Sequence, residues 1–198
     1  NGAGKTTMFN LITGALHCGT GKITFAGKNI TGSTPTTIAA AGIARTFQHV
    51  KLRPKMSLLD NVLLGTYGRT SAGFFSGALR LDRAEEQRAR NEAMKQLDHV
   101  GLGATPYELA GNLPLGNQRL LEIARALAAD PILLVLDEPA AGLRRQEKLA
   151  LADLLRTLRG EGLTILLVEH DMEFVMGLVD RIVVMEFGCK LCEGAPEA

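Results

Sequence analysis

Apolar positions in this chain recur with two periods, and the switches between them divide it into elements. After a glycine-rich opening, Met8, Leu11 and Ile12 follow helical spacing until Gly14, which predicts a short helix that starts on the glycine loop. Residues 21–31 alternate Ile23 and Phe25 with polar neighbours around Ala26-Gly27, the pattern of a small β-hairpin. Thr36 to Ala41 reads as one or two helical turns, and Ile43 to Phe47 as a strand ending at Gln48. From Met56 to about Ala129 the pattern is mostly helical. Ser57 with Asp60 three places on resembles a capping box, and Gly65 to Gly77, with Phe74-Phe75, reads as a loop. Leu81 to Val100 carries Ala93, Leu97 and Val100 on one stripe of an otherwise charged helix. Leu120, Ile123, Ala124 and Leu127 define another helix, closed by Asp130-Pro131.

The last third alternates. Ile132 to Leu136 and Thr164 to Val168 read as buried strands, and Ile182 to Met185 as a further strand. Between them, Gln146 to Arg159 places Leu151, Leu154, Leu155 and Leu158 on one helical face, and Met172 to Val179 forms a shorter helix. Aliphatic strands alternating with helices predict an α/β fold around a parallel sheet.

Composition narrows the function classes. The 198 residues are 46% hydrophobic, enough for a sizeable core, and carry 22 Lys plus Arg against 21 Asp plus Glu. A net charge of +1 gives no broad field for nucleic acid or an anionic membrane, so no nucleic-acid partner is expected and specificity must come from a site. The aliphatic runs are far shorter than the roughly 18 residues of a spanning helix. Cys18, Cys189 and Cys192 do not form the dense, even framework of a small secreted domain, which favours a reducing setting. The chain opens with Asn1 inside a motif, so it reads as a fragment.

That motif carries the first chemistry. Gly2-Ala3-Gly4-Lys5-Thr6 matches the right-hand part of G-x-x-x-x-G-K-[ST], in which backbone N–H groups and a helix N-terminus cradle phosphates, Lys supplies a point charge and Thr reaches Mg²⁺. Asn1, Gly2, Ala3, Gly4, Lys5, Thr6 and Thr7 are the phosphate-binding candidates. In isolation a glycine-rich turn before a helix reads the same way. The aliphatic strand from Ile132 ends in Asp137-Glu138, as expected when a parallel sheet delivers acids to its C-terminal edge: Asp137 for the metal, through water, and Glu138 to polarise an attacking water. Gln48 closes one strand, within reach of metal and water, and His170 follows another, within reach of a γ-phosphate; lone residues of either type are more often ordinary surface groups. The catalytic candidates are therefore Glu138, His170 and Gln48, and the Mg²⁺ candidates Thr6, Gln48 and Asp137.

The order of these elements resembles the ATPases of ABC transporters. Lys5, Gln48, Leu113-Pro114-Leu115-Gly116-Asn117-Gln118, Asp137-Glu138 and His170 stand where that family has its Walker A, Q-loop, signature, Walker B and switch-histidine elements. The wording RTFQHVKL at 45–52, LLEIARALA at 120–128, LDEPAAGL at 136–143 and VEHDMEFVMGLVDRIVV at 168–184 is similar to ATP-binding subunits of bacterial branched-chain amino acid importers. The stretch Gly73-Phe74-Phe75-Ser76-Gly77 resembles the insertion those subunits carry after the Q-loop. The resemblance implies a P-loop NTPase cassette with a RecA-like parallel-sheet core over 1–48 and 131–198, an inserted helical subdomain over 49–130, and N-terminal strands that precede this sequence. It implies ATP and Mg²⁺ as ligands and a two-subunit sandwich in which Pro114, Leu115, Gly116, Asn117 and Gln118 meet the opposite subunit's ATP. It also implies integral membrane permease subunits, a second ATP-binding subunit, an indirect periplasmic solute-binding protein, and a place on the cytoplasmic face of the bacterial inner membrane.

Several positions depart from the family pattern. The signature usually reads L-S-G-G-Q; Pro114 suits the branched-chain subgroup, whereas Leu115 and Asn117 are unusual, and Arg144 stands where Asp or Asn is customary. Cys189-Lys190-Leu191-Cys192 offers a C-x-x-C with no second Cys/His pair, which the family occupies with an ordinary strand and turn. A soluble, non-transport ABC ATPase and an inert truncated chain are the competing readings.

Overall fold

The structure, a computed structural model, describes residues 2–47, 50–66 and 83–196. Asn1, Gln48 and the glycine–phenylalanine stretch 73–77 lie outside the described residues. The elements run α1 (Lys5–Ile12), β1 (Thr24–Phe25), β2 (Lys28–Asn29), α2 (Pro35–Ala40), β3 (Ile43–Arg45), α3 (Leu58–Thr66), α4 (Arg83–His99), α5 (Leu115–Leu127), β4 (Leu133–Asp137), α6 (Arg145–Gly160), β5 (Thr164–Val168), α7 (Met172–Met176), β6 (Ile182–Glu186) and β7 (Cys189–Gly194).

A parallel sheet of order β3-β4-β5 organises the molecule. Strand β4 lies in the middle, and the two-residue alternation of side chains sends its aliphatics to opposite faces. Leu134 and Leu136 pack with Ile123 and Leu127 of α5, Leu151, Leu155 and Leu158 of α6, and Phe174 beyond them. Val135 faces the other way, toward Phe9 of α1, Ile38 of α2 and Ile43. Helices thus cover both faces of the sheet, as the aliphatic run of β4 requires.

The predicted fold class is observed, with differences of detail in the last third. The strand Ile182–Glu186 does not join the parallel sheet. It turns at Phe187-Gly188 and pairs antiparallel with Cys189–Gly194, because a two-residue turn returns the chain alongside the strand it has just left. Strand β5 is only half buried: β4 covers one edge, and Thr164 and Leu166 are exposed. Cys189 and Cys192 are free and exposed on β7, and no cluster of three or more His, Cys, Asp or Glu suited to a metal occurs among the described residues.

The helices α3, α4 and α5 build a second cluster from Leu58, Leu59, Val62, Ala93, Leu97, Leu121 and Ala124. Helix α5 belongs to both clusters: Leu121 and Ala124 face α3 and α4, while Ile123 and Leu127 face the sheet. Helix α3 approaches α5 so closely at Gly65 that any Cβ there would collide with the carbonyl oxygen of Arg125. At the start of α3, Ser57 Oγ accepts the Asp60 N–H at 3.0 Å. The Asp60 carboxylate, however, takes the Ser57 hydroxyl at 2.6 Å rather than the cap's backbone N–H, so the reciprocal half of a capping box is not made. No helix among the described residues is long and apolar enough to cross a membrane.

Candidate functional site

The C-terminal edge of the parallel sheet gathers the chemistry. Gly2 (φ 93°) and Gly4 (φ 87°) hold left-handed conformations, open to glycine without strain, and α1 begins at Lys5 immediately after them. Helix α1 has neither a side-chain N-cap nor an acid in its first turn, so its own residues leave its leading N–H groups and dipole turned to the loop. Thr6 and Thr7 are exposed. Gly2, Ala3, Gly4, Lys5, Thr6, Thr7 and Glu138 line one cleft of about 210 Å³. The loop is braced from outside by the β6–β7 turn: the Gly188 N–H donates to Ala3 O at 3.0 Å, and a Cβ on Gly4 would stand 3.2 Å from Gly188 Cα.

The acids arrive by strand register. Asp137 is the last residue of β4 and pairs with Val168 of β5. Glu138 then takes φ 48°, a left-handed state that costs a non-glycine residue about 1–3 kcal/mol and recurs at functional sites. Its N–H donates to Val168 O at 2.9 Å, which holds the turn to the end of β5. His170 is exposed, and its Nδ1 lies 3.8 Å from Glu138 Oε1 and 3.9 Å from Glu169 Oε2. The Glu169 carboxylate is buried; Oε1 accepts the Ala140 N–H at 2.7 Å and Oε2 the His170 N–H at 3.2 Å. One carboxylate thereby fixes the turn after Asp137-Glu138 against the turn that carries His170.

Asp171, next in sequence, caps α7 by accepting the Phe174 N–H and pairs with Lys148 of α6 at 2.5 Å. The hydrogen bond from Lys148, then that from Phe174, holds the Asp171 carboxyl below the usual carboxylate range, and the same pairing raises the Lys148 ammonium.

Asp137 does not line this cleft. It is buried at 3% exposure, and its Oδ2 accepts from Arg45 at 2.9 Å. Sequence reasoning passed over Arg45, Asn10, Thr13 and Glu169. The available signal was register: Arg45 pairs with Val135, so alternation sends Arg45, Val135 and Asp137 to one face.

The residues read as a signature element, 114–118, are not among those lining the cleft. Helix α5 begins at Leu115 with Pro114 as its N-cap, so Gly116 sits inside the first turn rather than ahead of the helix. Gly116 is buried against α6, where a Cβ would come within 2.6 Å of Glu147 Oε1, and Leu115 abuts Gly142. The Gln118 amide donates to Leu113 O at 2.8 Å, and Asn117 is half-buried. Arg144, whose N–H donates to Glu147 Oε2 at 2.7 Å, is the N-cap of α6.

Comparisons with known proteins bear on this arrangement. The profile described as ABC transporter matches residues 1–141. The high-affinity branched-chain amino acid transport ATP-binding protein LivG of Salmonella typhimurium is 42% identical over all of this chain and 78% of its own length. The protein of the same description named BraF, from Pseudomonas aeruginosa, is 41% identical with the same coverage. Among solved structures, the ADP conformation of MJ1267, an ATP-binding cassette of an ABC transporter, superposes with a TM-score of 0.85 at 32% identity, over 98% of this chain and 77% of that one. CbiO1 from Clostridium perfringens, part of the transporter complex cbiONQ, gives 0.83 at 27% identity, over 100% of this chain and 74% of that one.

Proposed function

The chain belongs to the ABC transporter family of ATP-binding cassettes, and from that premise we propose that it is the ATP-binding and ATP-hydrolysing subunit of an importer of branched-chain amino acids. The observation that carries the reading is the single cleft in which the Gly2–Thr7 loop, at the head of α1, meets Glu138 at the end of β4. Backbone N–H groups of Asn1 to Thr7 take the β- and γ-phosphates, and Lys5 adds a point charge where the transferred phosphoryl group gains charge. Glu138 would orient the attacking water as general base, with His170 beside it for the γ-phosphate and Gln48 as a further group for water and metal.

Thr6, Gln48 and Asp137 are the residues that would hold magnesium. They are oxygen donors, which suits an ion that keeps several waters and is held by one or two protein oxygens plus phosphates. Magnesium there supplies charge neutralisation at the phosphates.

Pro114 to Gln118 are not among the residues that line the chain's own cleft, which supports their use on the ATP of a second cassette. Two such subunits closing on two nucleotides give the closed state its differential affinity. The core would span 1–48 and 131–198 and the coupling subdomain 49–130. Integral permease subunits would receive the motion at the cytoplasmic membrane face, and a periplasmic solute-binding protein would deliver the amino acid.

Disruption of the gene in its own host tests the substrate. Uptake of labelled leucine, isoleucine and valine is expected to fall, with restoration by the intact gene and none by its Glu138→Gln form; uptake that survives disruption overturns the assignment.

A further inference from the structure

Arg45 makes a set of contacts that the phosphate-binding reading leaves unused. Its guanidinium is buried, at 8% exposure, between α1 and β4. Nη2 donates to Asp137 Oδ2 at 2.9 Å, and Nη1 to Asn10 Oδ1 at 2.7 Å and Thr13 Oγ1 at 3.0 Å. The group lies over the rings of Phe9, at 5.7 Å, and Phe47, at 5.2 Å. Its Nε is buried with no hydrogen-bond partner among the described residues, so the fork is turned toward Asp137 and α1 at the expense of its third edge. Asn10 and Thr13 sit on or just beyond the helix whose first turn carries Lys5 and Thr6. A planar fork with two aromatic neighbours can hold three partners in one geometry, which a lysine ammonium cannot.

From this we infer that Arg45 is a positioning residue for the metal end of the site: it sets the Asp137 carboxylate relative to α1, and so relative to the Thr6 hydroxyl. The inference rests on the reading of Asp137 and Thr6 as the magnesium pair. Buried ion pairs are poor sources of net stability, but they specify orientation, and removing one partner leaves the other buried and uncompensated. Partners that orient a metal-holding carboxylate govern metal affinity as the ligands themselves do. Arg45 touches neither nucleotide nor water in this scheme and acts through Asp137.

The test is Mn²⁺ binding, followed by electron paramagnetic resonance on the full chain with ATP in a Glu138→Gln background that does not turn over. Nucleotide affinity in chelator and thermal unfolding without ligand are measured alongside. Arg45→Gln is expected to weaken Mn²⁺ about 10- to 100-fold while metal-free nucleotide affinity stays within about twofold. Arg45→Lys, which keeps the charge and loses the fork, should fall between. If Arg45→Gln does not fold, Asn10→Ala, which removes one anchor on α1, should show a smaller loss in the same direction. A purely structural role would lower the unfolding temperature without changing Mn²⁺ affinity in the variants that fold, and that result overturns the proposal. Asp137→Asn separates the two layers. If it weakens Mn²⁺ and the Arg45 and Asn10 variants do not, the positioning role alone is wrong; if it leaves Mn²⁺ unchanged, Asp137 does not hold the metal and the positioning role falls with it.

Discussion

Glu169 Oε1 accepts the backbone N–H of Ala140 at 2.7 Å, so the carboxylate that follows β5 holds the turn that follows β4. The other oxygen receives the His170 N–H, and the side chain is buried at 1% exposure. Glu169→Ala leaves both N–H groups without this partner and should cost about 1–3 kcal/mol in unfolding free energy. Because the same contacts fix Glu138 against His170, kcat should drop about 10- to 100-fold, as a displacement of catalytic groups by about 1 Å can. Glu169→Gln keeps an acceptor for one N–H only and should lose less on both counts. Denaturant unfolding and steady-state phosphate release measure the pair of effects; a stability loss with kcat intact would make Glu169 structural only.

Lys5 and Glu138 line the same cleft and should fail in different ways. Glu138→Gln removes the carboxylate proposed to orient water while leaving the Gly2–Thr7 loop whole. Turnover should fall about 100-fold or more, with nucleotide affinity near that of the native chain. Lys5→Ala removes a point charge from the proposed phosphate site and should weaken nucleotide binding itself. A fluorescent ATP analogue gives affinity and phosphate release gives rate. Unchanged steady-state release in Glu138→Gln removes that residue from the water-orienting role.

What the residue pattern disclosed and what it hid follow from the range of the interactions. Periodicity is local, so the α6 face of Leu151, Leu155 and Leu158 and the burial of Leu134 to Leu136 were readable from spacing alone. Strand partnership is not local. Ile182 to Met185 has the composition of β4, and only the turn at Phe187-Gly188 sends it to β7 instead of the parallel sheet. The Gly2–Thr7 loop, Asp137-Glu138 and His170 stood out as candidates because phosphate chemistry calls for such residue types at strand and helix ends, and the structure brings the loop and Glu138 to one cleft. Arg45, Glu169 and Glu147 were hidden because a charged residue beside a strand or in a helix's first turn looks like a solvated one until register and packing bring it a partner.

The Lys148–Asp171 pair links α6 to the turn after His170, and its sign with pH is fixed by the direction of the Asp171 shift. The folded carboxyl is depressed below its ordinary value of 3.8, so its contribution is present above that value and is lost as pH falls through the lower folded one. Both side chains are partly exposed, which keeps the contribution small and sensitive to salt. Lys148→Met should therefore flatten the stability curve at the acid end and leave α7 capped by Asp171. Unfolding midpoints of the two forms between neutral and acid pH are the measurement; identical acid slopes would show the pair to be silent.

Glu122 on α5 has the opposite sign. Its side chain is 1% exposed, its Oε1 accepts the Lys51 N–H at 2.9 Å, and Arg125 and Arg119 stand at 3.5 and 3.7 Å. Burial raises its carboxyl above the ordinary 4.5, outweighing the Lys51 hydrogen bond and the arginine charges, while burial also lowers Arg125. The folded chain thus keeps this proton after the unfolded chain has released it. Stability from this group is at its greatest below about 4.5, declines as pH rises toward the elevated folded value, and is level above it. The arrangement is retained where α5 grips the strand exit: Arg119 donates to Phe47 O at 3.0 Å and Arg125 to Lys51 O at 2.7 Å, so these charges latch the backbone flanking residue 48 to the helix that Leu115 to Gln118 begin. Glu122→Gln keeps an oxygen for the Lys51 N–H and removes the titration. Its unfolding free energy should lose the downward slope above pH 4.5 expected of the native chain, at the expense of the carboxylate charge that now faces Arg125 and Arg119. Denaturant midpoints across that range decide it, since a variant with the native slope would place the titration elsewhere.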